Sequence, residues 1–236
     1  MTRLSQHIRR APLQLGAHVF VAGLLTAACA GSAATATTPQ PIEPQEAPTT
    51  TTQPGASGDP TAVLVGLRVE PEGARAGYKR ELFVHWVDAD RDRCDAREEV
   101  LIAESRSPAQ VDPYGCKVVE GDWYSAYDGL TFTDPSDLDI DHMVALAEAW
   151  DSGAASWDAG RRQAFANDLD HPQALRAVSA SSNRSKSDLD PGQWKPTRDA
   201  AWCEYANDWV TVKKAWDLSA DQNEVDDLRV MLRTCS

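Results

Sequence analysis

Two short stretches carry groups that could act on phosphorus. The first is Asp139-Ile140-Asp141-His142-Met143-Val144-Ala145-Leu146, and the second is Ala180-Ser181-Ser182-Asn183-Arg184-Ser185-Lys186-Ser187-Asp188. Hydrolysis of a phosphodiester needs a water relieved of a proton, and an electrophile to absorb charge on phosphorus and the leaving oxygen. A neutral imidazole is the side chain best matched to the first task near pH 7. A carboxylate and an amide oxygen are hard ligands of the kind that hold Mg²⁺, Mn²⁺ or a similar cation for the second. An Asp-His pair by itself is more often a surface ion pair or a helix cap. An Asn-x-x-Lys stretch beginning 41 residues after His142 makes the combination much more specific.

The flanking sequence suggests how these groups are carried. Leu138 and Ile140 alternate with Asp139 and Asp141, which suits a strand leading into His142. Neighbouring strand residues point to opposite faces, so Asp141 and His142 can serve one phosphate only if the chain bends there. Gly121 to Thr133 reads as a hairpin around Asp128-Gly129, and Tyr78 to Val87 as a short helix. Ser156 can cap a helix running to about Leu169. Trp202, Trp209 and Trp216 recur every seven residues with Tyr205 and Val212 between them, one apolar face of a long helix. That stripe is a core face far more readily than a base-stacking platform. Ser219 and Gln222 form a capping box for a last helix with Val225, Leu228, Leu232 and Cys235 on its apolar face.

The chain has 236 residues and a net charge of −13, from 23 basic and 36 acidic side chains. That balance excludes a protein that coats nucleic acid through bulk positive charge. Residues 1–29 read as an export signal, with Arg3, Arg9 and Arg10 ahead of an apolar run too short to span a bilayer. Leu24-Leu25-Thr26-Ala27-Ala28-Cys29 resembles a bacterial lipoprotein signal, with Cys29 the lipidation site; ordinary secretory cleavage is the alternative. Loss of residues 1–28 removes three arginines and leaves a charge of −16. Residues 30–60, rich in Thr, Pro and Ala, bury too little apolar surface to fold and read as a disordered linker. All eight tryptophans lie between Trp86 and Trp216, which puts the folded domain at residues 61–236. Four cysteines remain after Cys29, an even set suited to two disulfides in an exported chain. Three pairings are open, and sequence proximity favours Cys94–Cys116 and Cys203–Cys235. Structural zinc is the weaker alternative, because no Cys-x-x-Cys pair occurs.

With these motifs in hand, the sequence resembles the HNH nucleases of the ββα-metal class. The HNH domain of RNA-guided CRISPR effectors carries a similar pair of motifs. The nearer resemblance is to exported bacterial proteins related to the C-terminal domain of modification-dependent restriction enzymes. It rests on Arg80-x-x-Phe83, Cys94-Asp95-x-Arg97, Leu146-Ala147-Glu148-Ala149-Trp150, Asn183-Arg184-x-Lys186, Asp190-Pro191 and Tyr205-Ala206…Trp209…Trp216, across about residues 75–236. It implies an α+β fold: a ββα-metal (HNH, treble-clef-like) core with a disulfide-stapled helical C-terminal extension. It also implies roles. Asp141 would be a metal ligand, His142 the general base, Asn183 the second ligand at the start of a helix, and Arg184 and Lys186 phosphate-binding. Glu148 would orient a catalytic or structural group.

The expected activity is a divalent-metal-dependent endonuclease with little sequence specificity, using Mg²⁺ or Mn²⁺ and acting on DNA more readily than RNA. No zinc finger, helix-turn-helix or basic arm is present to read bases. Membrane contact would come only through the lipid anchor, and no protein partner is inferable. One departure stands out: the middle Asn that pins the His-bearing loop in such nucleases falls here near Ala174, and Asn167 has the wrong spacing. The alternative is therefore a catalytically weak or inactive HNH-fold surface lipoprotein that only binds. Asp88, Asp90, Asp92 and Glu99 match an EF-hand spacing, but Arg93 stands where the turn demands Gly, so an acidic surface loop is the plainer account. His85 reads as a packed or exposed residue, and His7, His18 and His171 lack partners at ligand spacing.

Overall fold

Alternation in Leu138–His142 does produce a strand, and its partner is supplied by a second short apolar run 33 residues on. The computed structural model describes residues 58–236; the signal segment, Cys29 and most of the expected linker lie outside them. The strands are β1 (Arg68–Val69), β2 (Gln110–Val111), β3 (Val118–Glu120), β4 (Trp123–Tyr124), β5 (Thr131–Phe132), β6 (Leu138–His142), β7 (Leu175–Ser179) and β8 (Ser219–Ala220). The helices are α1 (Ala96–Glu104), α2 (Leu146–Asp151), α3 (Ala159–Ala166), α4 (Ala180–Lys186), α5 (Trp202–Ala215) and α6 (Gln222–Leu232). The fold is α+β, with its strands in two-stranded pairs, all antiparallel except β1 with β8.

The pair that matters most is β6 with β7, in register from Leu138 opposite Ser179 to His142 opposite Leu175. Ala180 follows β7 directly and opens α4, because the Ser179 hydroxyl accepts from the Ser182 N–H at 3.2 Å and turns the chain. One face of the pair, with Leu138, Ile140, Leu175 and Ala177, packs on Ala96, Val100 and Leu101 of α1 and on Trp123. Asp139 and Asp141 contact α4 instead. The larger core joins α5 and α6 to α2 and α3 through Tyr205, Trp209, Val225, Leu228, Val144 and Phe165. Trp209, at the centre of the heptad, is fully buried. Disulfides link Cys94 to Cys116 and Cys203 to Cys235, the second tying α5 to the end of α6.

Three local expectations are corrected. Residues 78–87 form only a 3-10 turn over Arg80–Leu82, since Phe83 turns fully inward and Trp86 takes a left-handed φ of 59°. The third helix starts at Ala159 under Asp158, whose carboxylate accepts from the Arg161 N–H at 2.7 Å, while the Ser156 hydroxyl donates to the Gly153 carbonyl. It ends at Ala166 and not at Leu169. The last helix is capped by Asp221, which accepts from the Glu224 N–H at 2.8 Å; Ser219 lies in β8 and donates to the Ser152 carbonyl.

Candidate active site

Asp141, His142, Asn183 and Arg184 all line one cleft of about 570 Å³, together with Tyr78, Arg80, Ser187 and Asp188. Strand and helix geometry explain the convergence. His142 is the last residue of β6, and α4 crosses the face carrying Asp139 and Asp141, so its residues 183 and 184 reach the cleft from the other side. His142 still pairs with Leu175, so the two side chains leave opposite faces of β6, yet both residues line this cleft.

The carboxylate of Asp141 is 3 % exposed and held from two sides. Tyr127 donates its hydroxyl to Oδ2 at 2.7 Å, and Lys186 donates to Oδ1 at 2.8 Å. Burial pushes the Asp141 carboxyl above its ordinary value, while the Lys186 ammonium and Tyr127 hydroxyl pull the other way. Lys186 itself is fully buried and also donates to the His142 carbonyl at 3.0 Å. Its ammonium therefore has no face open to a phosphate, and what it supplies here is a countercharge. Asn183 donates Nδ2 to Asp139 at 3.1 Å, and among the described residues nothing donates to its Oδ1. Arg184 is largely exposed and lies 3.8 Å from Asp139.

His142 is buried, and Nε2 lies 2.9 Å from the Ala166 carbonyl. A carbonyl only accepts, so Nε2 carries the proton and Nδ1 keeps its lone pair. Burial pushes the imidazole down to about 3, with the Ala166 carbonyl opposing and the Arg80 charge adding, so the ring is neutral at pH 7. Trp86 lies against it at 5.4 Å between centroids with planes 30° apart, and His85 meets it edge-on at 6.1 Å.

Asn167 holds this arrangement. Its Oδ1 accepts from the Val87 N–H at 2.8 Å, and its Nδ2 donates to the carbonyls of Val84 and Gln163, each at 2.7 Å. The end of α3 thus fixes His142 twice, through the Ala166 carbonyl and through the Trp86 segment that Asn167 clamps. Ala174 contributes backbone only, its carbonyl accepting from the Met143 N–H at 2.9 Å. Trp86 sits in a region costly for a bulky residue, the kind of strain that persists only where surroundings over-determine it. Removing the clamp with Asn167→Ala is expected to cost about 1–3 kcal/mol in denaturant melts, since it unpairs backbone groups at residues 84 and 87. A variant with an unchanged midpoint and slope would show that the side chain holds nothing.

Glu148 does not line the cleft. It accepts from Ser152 at 2.6 Å and from the buried Lys213 at 2.8 Å, inside the helical core. The acidic loop at 88–92 turns its carboxylates on its own backbone: Asp88 accepts from the N–H groups of Arg91 and Arg93, with Arg93 at φ 87°. Glu99 approaches Asp92 and Cys94, but that sulfur is spent in a disulfide. Tyr127 and Asn167 are the site residues that the motifs do not reveal. The available signal for Tyr127 is its place beside the Asp128-Gly129 turn; a buried tyrosine usually finds a partner for its hydroxyl.

The C-terminal domain of GmrSD restriction endonucleases matches residues 95–231, more than half of the chain. The chain belongs to this family. A protein of Arthroderma benhamiae, described as an uncharacterized secreted protein, is 43% identical over 198 residues, covering 84% of this chain and 92% of that one. That relative is fungal, so the likeness is not to bacterial proteins alone. No solved structure matches. Membership in the GmrSD C-terminal family makes the chain nuclease-related, and its two disulfides, with a relative described as secreted, are consistent with export. Among the described residues, no helix is long and apolar enough to cross a membrane.

Proposed function

We propose that this GmrSD C-terminal family protein is an exported, divalent-metal-dependent endonuclease that hydrolyses phosphodiesters of DNA or RNA with little sequence specificity. In this reading β6, β7 and α4 form the ββα-metal core. The observation that carries it is that Asp141, His142 and Asn183 line one cleft, with the His142 proton held on Nε2 and, among the described residues, no donor to the Asn183 Oδ1. The donor set fits a hard cation. A carboxylate offers about four lone-pair sites, of which Tyr127 and Lys186 occupy one each, and ligating carboxylates are ordinarily oriented by such outer partners.

Asp141 and Asn183 would hold Mg²⁺ or Mn²⁺. When bound, the cation supplies charge to stabilise phosphorus and the leaving oxygen. His142 accepts the proton of the attacking water at Nδ1, and the imidazolium that results is held through its Nε2–H by the Ala166 carbonyl. Lys186 and Tyr127 keep the Asp141 carboxylate in place, and Arg184 binds substrate phosphate. The same proposal includes lipid attachment or cleavage at Cys29, a linker over 30–60 and a folded domain over 61–236.

The test is nicking of supercoiled plasmid. Cleavage is expected with Mg²⁺ or Mn²⁺ and complete loss with EDTA, restored by excess metal. Cleavage that continues in EDTA would exclude the metal role of Asp141 and Asn183. Absence of cleavage of DNA and RNA under every divalent ion tried would leave a binding protein in place of an enzyme.

A further inference from the structure

Charge pairing around the cleft is uneven. Asp141 is paired with Lys186 at 2.8 Å, Asp188 with Arg75, and Asp139 with Arg184 at 3.8 Å. Each acidic residue that lines the cleft, and Asp139 beside it, therefore has a cation. Arg80 is the surplus: among the described residues it has no carboxylate within 4.0 Å and no side-chain hydrogen bond, although the protein carries 36 acidic against 23 basic side chains. Its backbone is nonetheless fixed. It opens the 3-10 turn anchored by the fully buried Phe83, and the adjoining Tyr78 packs edge-on against Trp150 at 5.9 Å. An exposed, unpaired guanidinium on a fixed backbone, lining a cleft in an otherwise acidic molecule, is a ready anion site. Its planar fork matches two non-bridging phosphate oxygens.

We propose that Arg80 binds a phosphodiester of the substrate backbone in this cleft, taking the phosphate contact that the buried Lys186 cannot make. The inference rests on the nuclease reading but concerns binding alone. Arg80 thus supplies, with Arg184, the local positive charge that lets an acidic protein hold a polyanion.

The experiment measures fluorescence anisotropy of a short labelled DNA duplex titrated with the full-length His142→Ala protein across a range of NaCl concentrations. Adding Arg80→Ala is expected to weaken binding about tenfold and to lower the salt slope by about 1, as loss of one phosphate contact does. Arg80→Lys should recover part of the affinity. Arg233→Ala, which removes an exposed charge outside the cleft lining, should change neither quantity. Equal affinity and slope with and without Arg80 would overturn the inference while leaving the nuclease reading intact, as would an equal loss from Arg233→Ala. Failure of the His142→Ala protein to bind either this duplex or a labelled RNA of the same sequence at any salt concentration would overturn both.

Discussion

Replacing His142 with alanine is expected to slow plasmid cleavage by about 10²–10⁴-fold, the usual range for loss of a positioned general base. The protein should still bind uncut DNA. Two contacts and burial concentrate the effect on this residue. The Ala166 carbonyl fixes the proton on Nε2, Trp86 covers one ring face, and burial keeps the ring neutral, so Nδ1 is a lone pair aimed by its surroundings. Alanine removes that lone pair without touching Asp141, Asn183 or the charge pairing of the cleft. His142→Gln leaves an amide in place of the base and should be as slow as alanine. Initial rates of supercoil loss in Mn²⁺ for the three proteins decide the matter. Rates within a few-fold of one another would remove His142 from the chemistry.

The strand bearing this histidine is legible in the sequence because its signal is local. Leu138 and Ile140 alternate with two aspartates, the Asp128-Gly129 turn is bracketed by strand formers, and the heptad of Trp202, Trp209 and Trp216 marks one helix face. Sequence proximity likewise favours the disulfide pairs that form. Helix starts were harder, because several residues compete to cap. At the third and sixth helices an aspartate supplies the cap, while the nearby serine donates to a backbone carbonyl elsewhere.

The fate of Lys186 was not legible for a different reason. Asn183 and Lys186 are three residues apart and share one side of α4. Whether that side meets solvent or a carboxylate depends on β6, 45 residues away in the chain from Lys186. Asn167 shows the same limit: its partners Val84 and Val87 lie 83 and 80 residues away. Motif spacing places the expected middle Asn at Ala174, whereas the amide that clamps the Trp86 segment is Asn167 at the end of α3. A motif records which groups do chemistry; which groups hold them still is settled by contacts that spacing does not encode.

Lys213→Met is expected to be the most destabilising single change in the core, costing about 3–5 kcal/mol at neutral pH. Typical domains have only about 5–15 kcal/mol in total. The ammonium is fully buried, and its three N–H groups are shared among Glu148 at 2.8 Å, Glu224 at 2.7 Å, the Ser219 carbonyl at 2.7 Å and Ser152 at 2.9 Å. Two carboxylates thus share one cation, and methionine of similar length would leave both charges buried without it. Burial pushes Glu224 up to about 7, against the pull of Lys213 and with the repulsion of Glu148. The sign follows from linkage. The unfolded chain gives up the Glu224 proton near its ordinary 4.5, before the folded chain does, so stability falls as pH rises from about 4.5 to about 7 and levels off above. Asp208, pushed up to about 6 by burial despite Arg176, titrates in the same direction. Comparison with Glu224→Gln isolates one from the other, since glutamine has no proton to lose, although its one oxygen can accept from Trp209 or from Lys213 but not from both in the native arrangement. Urea melts at several pH values should therefore show a shallower decline for Glu224→Gln than for wild type. The deficit of Lys213→Met should shrink toward pH 4.5, where the folded state keeps the Glu224 proton. A Lys213→Met protein that unfolds at the wild-type midpoint at pH 7 would mean that this buried lysine is not what holds the two glutamates inside.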